Sequence, residues 1–220
     1  MAEHFPIPEL VITQIVGMCR NFLWTGDILK SKSALVTWRT VCLPKNKGGL
    51  GLFEIKACNE SFIAKQLWNI HLKTDSIWIQ WIHYYYLSNL SIWDASPQRT
   101  SSPLWKSIIS FKDQLIADCG GQHQAIALLS TWSSVDHPFL ANAYDFLRLK
   151  GTPVSSAKVV WEPWSMPGYN FILWLALMGK LRTRDRLRFL QTDPSCVFCR
   201  DEEESCNHLF FACHWTSVLW

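Results

Sequence analysis

A chain of 220 residues with 49% hydrophobic and 18% charged residues can bury a core, which excludes an intrinsically disordered protein. Its net charge of +3 is too small to predict a nucleic-acid partner by itself. The longest strongly apolar run, at residues 171–178, is too short to cross a bilayer, and no secretory signal opens the chain. We therefore expect an intracellular protein, in the nucleus or cytoplasm, with no membrane partner and with cysteines that stay reduced or bind metal.

The first part of the chain carries the spacing of amphipathic helices. Apolar side chains recur every three or four residues over residues 8–25, and Gly26 and Asp27 follow where such a helix would end. Helices are also predicted over residues 59–73 and 76–87, although the density of aromatic side chains leaves a strand as the alternative for the second.

The middle of the chain divides into a predicted linker and a further helix. Residues 88–103 are rich in Ser, Asn and Pro, a composition typical of a linker. Residues 104–118 form a predicted helix that Gly120 and Gly121 end. The pattern of residues 122–138 is ambiguous.

Three more helices are predicted towards the C-terminus. One covers residues 138–151, with Gly151 after its last turn. A short buried helix covers residues 168–179, and a third begins after Thr183 as its N-cap and runs to residue 191. Because strand signals are few, the sequence predicts a mainly α fold.

The sequence "CVFCRDEEESCNHLFFAC" near the C-terminus has the spacing of a metal site. Cys196 and Cys199 form a C-x2-C pair, which lets two thiolates point at one centre. His208 and Cys213 follow and complete the pattern C-x2-C-x8-H-x4-C. Four such ligands make a closed tetrahedral Zn²⁺ site, with no open position for substrate, so the spacing predicts one structural zinc ion per chain.

Cys206 and His214 leave the ligand set open. Cys206 in place of His208 would give an all-cysteine site, and we prefer His208. Free thiols in an apolar core are the alternative to any metal. The remaining cysteines are scattered and are interpreted as small buried hydrophobic residues: Cys19, Cys42, Cys58 and Cys119.

These motifs resemble a known family. The segments "FILWLALMGKLRTRDRL", "CVFC" and "NHLFFAC", with the terminal Trp, resemble the zinc-binding domain that follows the reverse transcriptase in plant non-LTR (LINE-type) retrotransposons. The segments "FPIPELVITQIVGMCRNFLWTG", "TWRTVCLPKNKGGLGL" and "NESFIAKQLW" resemble the part of the same polyproteins that joins the polymerase thumb to that domain.

The resemblance implies a division of the chain and a ligand set. Residues 1–98 would be a helical thumb extension, residues 99–138 a connecting segment with one helix, and residues 139–220 a small helical zinc-binding domain. The implied ligands are the four residues of the spacing argument, Cys196, Cys199, His208 and Cys213. Cys206 lies at a position where the family is expected to have a residue that does not bind the metal.

Catalytic motifs are missing from the sequence. A polymerase needs paired aspartates for its metal ions, and the chain contains no Asp-Asp dipeptide. It also lacks the H-E-x-x-H, Walker and G-x-S-x-G motifs. We therefore expect a non-enzymatic fragment of a retroelement open reading frame, without a small-molecule substrate.

Basic residues before the cysteine cluster suggest contact with RNA or DNA. The segment "GKLRTRDRLRF" offers four candidates for binding phosphates, Lys180, Arg182, Arg184 and Arg188. The alternative is a solvated face that pairs with the acidic run at residues 201–204.

Two further alternatives concern partners. Phe198, Phe210 and Phe211 flank the ligands and could stack on bases. The preferred alternative is that the segment "LFF" at residues 209–211 packs a small core under the metal. The tryptophan-rich helices could instead dock onto a polymerase in trans or onto another protein, which would make the chain a structural interaction module with a structural zinc.

Overall fold

The computed structural model describes residues 6–88, 90–133, 138–190 and 193–219. Trp220 of the C-terminal motif, and residues 134–137 of the ambiguous stretch, lie outside this part. In the part that is described, the backbone forms helices and turns with one isolated bridge between Ser195 and Glu203 and no strand, which confirms the mainly α prediction. None of the described helices is long and apolar enough to span a membrane.

Successive α-helices, joined by turns and short loops, build the described part of the chain. In order they are α1 (Glu9–Thr25), α2 (Trp38–Cys42), α3 (Ile55–Leu72), α4 (Ile77–Ile82), α5 (Pro103–Cys119), α6 (Gln122–Trp132), α7 (Phe139–Leu147), α8 (Ala157–Val160) and α9 (Pro167–Leu177). A π-helical turn at His83–Leu87 extends α4. The predicted helices over residues 8–25, 59–73, 76–87 and 104–118 are thus present.

Local sequence signals set the ends of the long helices. The hydroxyl of Ser102 accepts a hydrogen bond from the N–H of Trp105 at 3.2 Å and so caps α5 at its N-terminus. Gly120 ends α5 with a φ of 79°, and Gly26 ends α1 with a φ of 73°. Glycine adopts this left-handed conformation without the steric cost that a Cβ atom would bring, which is why the sequence predicts these ends.

The predicted linker at residues 88–103 is wrong in part, because its centre is buried. Ile92 and Trp93 are 2% and 5% exposed, in a 3-10 turn at Ile92–Asp94. The ammonium group of the buried Lys112 donates to the carbonyl oxygens of Trp93 and Ala95, at 3.3 and 2.6 Å. Two apolar side chains within a polar run are enough to tie it to the core.

Two predicted helices near the C-terminus differ from the structure. Helix α7 ends at Leu147, before Gly151, because the N–H of Leu149 turns aside to donate to a carboxylate oxygen of Glu54 at 3.1 Å. The predicted helix after Thr183 is replaced by two 3-10 turns, Arg184–Arg186 and Arg188–Leu190. There the hydroxyl of Thr183 donates to the carboxylate of Asp185 and caps no backbone N–H.

The chain forms two compact units, of which the first comprises residues 1–32 and 53–150. Helix α3 lies at its centre and packs against α5 and α7. Trp105 is 1% exposed and stacks on Tyr86 with ring centroids 4.6 Å apart. The side chain of Trp93 donates its indole N–H to Nδ1 of His71 at 3.0 Å.

The second unit comprises residues 33–52 and 151–220. The indole N–H of Trp174 in α9 donates to the carbonyl oxygen of Gly48 at 2.8 Å, and the N–H of Val154 donates to that of Asn46 at 3.0 Å. The resemblance implies domain boundaries at residues 98 and 138. The compact units have other boundaries, because residues 33–52 pack with the C-terminal part.

Candidate metal centre

The C-x2-C pair lies in a tight turn. The bridge between Ser195 and Glu203 closes the base of this turn, and the N–H of Cys196 donates to the carbonyl oxygen of Glu202 at 2.7 Å. The N–H of Arg200 donates back to the carbonyl oxygen of Cys196 at 3.0 Å, and Arg200 has a φ of 61°. The chain thus reverses direction around Cys196 and Cys199.

The other two candidate ligands lie at the ends of a π-helical turn, His208–Ala212. The hydroxyl oxygen of Ser205 accepts a hydrogen bond from the N–H of His208 at 3.1 Å, and the N–H of Cys213 donates to the carbonyl oxygen of His208 at 2.8 Å. In an α-helix, five residues turn through about 500° and would leave the two side chains about 140° apart. The longer hydrogen-bonded loop of a π turn brings them to one side.

These two segments bring four ligand atoms together. The sulfur atoms of Cys196, Cys199 and Cys213 and one ring nitrogen of His208 all lie within 4.8 Å of one another. Cys196 and Cys213 are fully buried, and His208 is 6% exposed. The Sγ of Cys199 lies 3.2 Å from Nε2 of His208, so this nitrogen faces the thiols.

Cys206, the alternative ligand, lies outside this cluster. Its thiol donates to the carbonyl oxygen of Ala176 at 3.4 Å, in α9. Burial raises the pKa of this thiol, which favours the neutral form. The structure therefore groups the four ligands that the sequence favoured, and no other cysteine of the described ranges joins that group.

The pKa values of the two thiols of the C-x2-C pair shift in opposite directions. Burial raises the pKa of Cys196, against the effect of the backbone N–H groups of Cys199 and Phe198. For Cys199 the desolvation is outweighed by hydrogen bonds from the N–H groups of Asp201 and Glu202, and the pKa falls to about 6. Thiolates are the metal-binding form of cysteine, so this turn favours the ionised ligand at position 199.

The acidic run after the C-x2-C pair supports the cluster. A carboxylate oxygen of Glu202 lies 3.0 Å from Nδ1 of His208, the ring nitrogen that points away from the thiols. The buried carboxylate of Glu204 accepts from the backbone N–H of Val197 at 3.3 Å and of Arg184 at 3.2 Å. Glu204 therefore holds the C-x2-C turn against the 3-10 turn that precedes it.

Two of the four predicted phosphate-binding residues form ion pairs with this acidic run. The guanidinium of Arg184 lies 3.6 Å from the carboxylate of Glu204 and donates to the carbonyl oxygen of Ser195 at 2.9 Å. The guanidinium of Arg188 donates to the carboxylate of Glu203, with Nε at 3.0 Å. The alternative stated for these arginines, pairing with residues 201–204, is what the structure contains.

Lys180 and Arg182 are differently placed. Both are exposed, and neither belongs to an ion pair among the residues that the structure describes. Phe198 and Phe211 are also about half exposed, so they do not form a closed core under the ligands. The preferred interpretation of the segment at residues 209–211 is therefore corrected for Phe211, whereas Leu209 and Phe210 are half-buried. The role of the basic residues stays a prediction.

The supporting carboxylates are what the sequence reasoning missed. It treated residues 201–204 only as a partner for arginines. The position of Glu202 and Glu204 between two pairs of candidate ligands was the available signal, since groups that orient a ligand commonly lie next to it in a short loop.

The donor set fits a zinc ion. Three thiols and one imidazole are ligands that Zn²⁺ takes in structural sites, and a carboxylate beside the second ring nitrogen orients a metal-binding histidine. The burial of three of the four side chains fits a closed site, in which every ligand position is filled by protein. The fold and this cluster together define a small helical metal-binding module.

The comparisons with known proteins agree with this class. Residues 139–220 match the family described as zinc-binding in reverse transcriptase. This match confirms the resemblance of the segment to the zinc-binding domain of plant retrotransposon reverse transcriptases. The match begins with α7, which belongs to the first compact unit. The assignment of residues 1–98 to a thumb extension stays a prediction.

Two relatives from Arabidopsis thaliana are similar to parts of the chain. A putative ribonuclease H protein is 31% identical over 105 residues, which is 46% of this chain and 17% of the relative. An uncharacterized mitochondrial protein is 25% identical over 112 residues, which is 50% of this chain and 73% of the relative. The chain thus spans a small fraction of the first relative. No solved structure matches the chain.

Proposed function

We propose that the chain is a non-catalytic zinc-binding module derived from a retrotransposon reverse transcriptase, with an accessory role in binding RNA or DNA. One structural zinc ion would be held by Cys196, Cys199, His208 and Cys213. The observation that carries the proposal is the convergence of three sulfur atoms and one imidazole nitrogen within 4.8 Å, in a family described as zinc-binding.

The zinc ion would act through stability. Zinc binding by short segments of this kind is worth about 10–16 kcal/mol at neutral pH, which is enough to fold them. Residues 195–213 have little regular structure, namely one isolated bridge and one π turn. The metal would therefore stabilise this segment by linking its two turns, as a hydrophobic core stabilises a larger domain.

The first experiment is elemental analysis of the full chain purified under reducing conditions. We expect one tightly bound zinc ion per chain, retained in Cys206→Ala and lost in His208→Ala. The matched control is His123→Ala, an exposed histidine on α6. Loss of zinc in Cys206→Ala with retention in His208→Ala would replace this ligand set by the all-cysteine set, and a folded parent without zinc would contradict the proposal.

The nucleic-acid role would rest on exposed basic residues near the module. Lys180 and Arg182 have their charges available to phosphate, whereas Arg184 and Arg188 are paired with carboxylates. Binding of a fluorescent single-stranded RNA should weaken as salt rises, since each neutralised phosphate releases counterions. The double variant Lys180→Gln/Arg182→Gln should bind more weakly with a smaller salt slope, and unchanged binding would exclude these two residues.

The absence of catalysis is proposed for the chain because the sequence lacks catalytic motifs and three of its eight thiols lie in the proposed metal site. A nucleophilic cysteine needs an adjacent base and free access, and three of the thiols lie in the proposed closed site. The printed name of one relative mentions ribonuclease H, and the chain covers 17% of that protein. Incubation with an RNA–DNA hybrid and Mg²⁺ should leave the RNA intact, and cleavage that copurifies with the chain would overturn this part.

A second candidate function is protein interaction, with a polymerase in trans as the partner. It is favoured by the apolar side chains that α1 leaves exposed, of which Leu10 is 80% and Phe22 is 60% exposed. Apolar docking depends little on salt, in contrast to phosphate binding. A complex with a reverse transcriptase core that survives high salt, and is lost in Phe22→Ser, would support this candidate over the first.

A further inference from the structure

A second set of ligand-bearing side chains lies beside the first. The sulfur of Cys199, a carboxylate oxygen of Asp201 and a ring nitrogen of His214 all lie within 4.8 Å of one another. Asp201 and His214 are exposed, and Cys199 is half-buried, in contrast to the buried side chains of Cys196 and Cys213. Cys199 therefore lies at the boundary between a buried group of ligands and a group that faces solvent.

We propose that Cys199, Asp201 and His214 form a second, open binding position for a divalent metal ion of the zinc class, with Cys199 as a shared ligand. A thiolate sulfur has more than one lone pair and can bind two metal ions at once. A carboxylate oxygen, an imidazole nitrogen and a thiolate are each ligands that zinc accepts. With three protein ligands, the remaining position is filled by water.

Charge favours occupation of this second position. A zinc ion held by three thiolates and one neutral imidazole leaves the first site with a net charge of −1. Asp201 adds another negative charge, and the neighbouring Glu202 has a side chain that is 71% exposed. A second divalent cation would offset this excess, and no Lys or Arg of the described residues forms an ion pair with Asp201.

The two positions differ in what they expose. The first is closed and three of its four ligands are buried, so its metal ion is expected to be tight and structural. The second uses two exposed side chains, so its metal ion is expected to be weaker and quickly exchanged. The inference rests on the proposed zinc centre, because the shared Cys199 takes its position from that centre.

The test is a titration of the full-length chain, stripped of metal and kept reduced, with Co²⁺ followed by absorption and with Zn²⁺ against a competing chelator. We expect two equivalents, the second at least about tenfold weaker than the first. Because the second ion also binds the thiolate of Cys199, the sulfur-to-cobalt charge-transfer absorption should increase again during the second step. His214→Ala and Asp201→Asn should each keep the first equivalent and lose the second, while the control His123→Ala should keep both.

The outcomes separate the two proposals. No tight equivalent in the parent chain would overturn both the zinc centre and this inference. A tight first equivalent without a second would overturn the inference alone. A second equivalent that persists in both variants, or that adds no sulfur-to-cobalt absorption, would be adventitious binding elsewhere and would also overturn it. Loss of the first equivalent in His214→Ala would place His214 in the primary site instead.

Discussion

The backbone N–H of Cys213 donates to the carbonyl oxygen of His208 at 2.8 Å, so one hydrogen bond spans the four residues that separate two candidate ligands. This bond closes the π turn and aligns the two side chains on one side of the helix. An i to i+5 spacing of ligands therefore depends on a backbone conformation that is rare in proteins and is frequent at functional sites.

Insertion of one alanine between Phe211 and Ala212 should break this alignment. The added residue moves Cys213 by about 100° around a helix, away from the other three ligands. Loss of one ligand from four should weaken zinc binding by more than about a hundredfold, since the whole site is worth about 10–16 kcal/mol. Competition with a chelator measures the affinity.

The control for this insertion is one alanine placed after Ser165, in the exposed turn before α9. Zinc affinity should be unchanged there. If the insertion at Phe211 also binds zinc with the parent affinity, the π turn is not needed to align His208 and Cys213.

The substitution Glu202→Gln should weaken zinc binding by about 10- to 100-fold. The carboxylate of Glu202 lies 3.0 Å from Nδ1 of His208, and such a partner orients the ring and makes Nε2 a better ligand. The same chelator competition measures the change. Glu203→Gln is the matched control, because the carboxylate of Glu203 pairs with Arg188 and not with a ligand.

An equal loss of affinity in both variants would mean that the acidic run acts through its total charge. An unchanged affinity in Glu202→Gln would mean that the short distance to His208 has no effect on binding.

Substitution of Arg184 should destabilise the second unit far more than substitution of Arg188. Arg184 has a partly buried guanidinium that binds the carboxylate of Glu204 and two backbone carbonyl groups, so Arg184→Ala should cost about 2–4 kcal/mol. The exposed pair of Arg188 and Glu203 should be worth about 0.2–1 kcal/mol. Guanidinium unfolding of the zinc-loaded chain, followed by release of the metal, measures both.

Comparable costs for the two arginines would argue that the contacts of Arg184 are too solvated to matter. The result also bears on RNA binding. If Arg184→Ala lowers the affinity for RNA, the stability measurement shows whether loss of the fold accounts for it.

Acidification should destabilise the first unit in part through His71. Burial lowers the pKa of His71, so the folded state favours the neutral imidazole that accepts the indole N–H of Trp93. The unfolded chain, with a pKa of about 6.5, binds the proton first. The stability that His71 contributes is therefore full above about pH 6.5 and is lost as the pH falls through its folded pKa.

The measurement is the free energy of unfolding of the parent and of His71→Asn at pH 7.5 and at pH 5. The parent should lose more stability than the variant, which keeps a hydrogen-bond acceptor but does not titrate. Equal losses, or an NMR titration of the His71 ring with a pKa above 6.5, would contradict this account.

Much of the architecture can be predicted from the sequence because it depends on local signals. Apolar spacing and Gly120 predict the helix over residues 104–118, and the structure extends it by one residue at each end. The linker prediction at residues 88–103 fails in part, because composition does not reveal that Ile92 and Trp93 are buried. The stop of α7 before Gly151 depends on Glu54, a residue that is distant in the chain.

The sequence by itself determined the helical class, the main helix ends and four ligand residues with metal-site spacing, because each is encoded by neighbours a few residues apart. Only the tertiary structure decided which thiols converge, that Cys206 faces the carbonyl of Ala176, and that Arg184 and Arg188 bind carboxylates of the acidic run. Those relationships depend on how the two turns and α9 pack together. Packing between segments is set by burial and hydrogen bonding over long sequence separations, which residue spacing does not record.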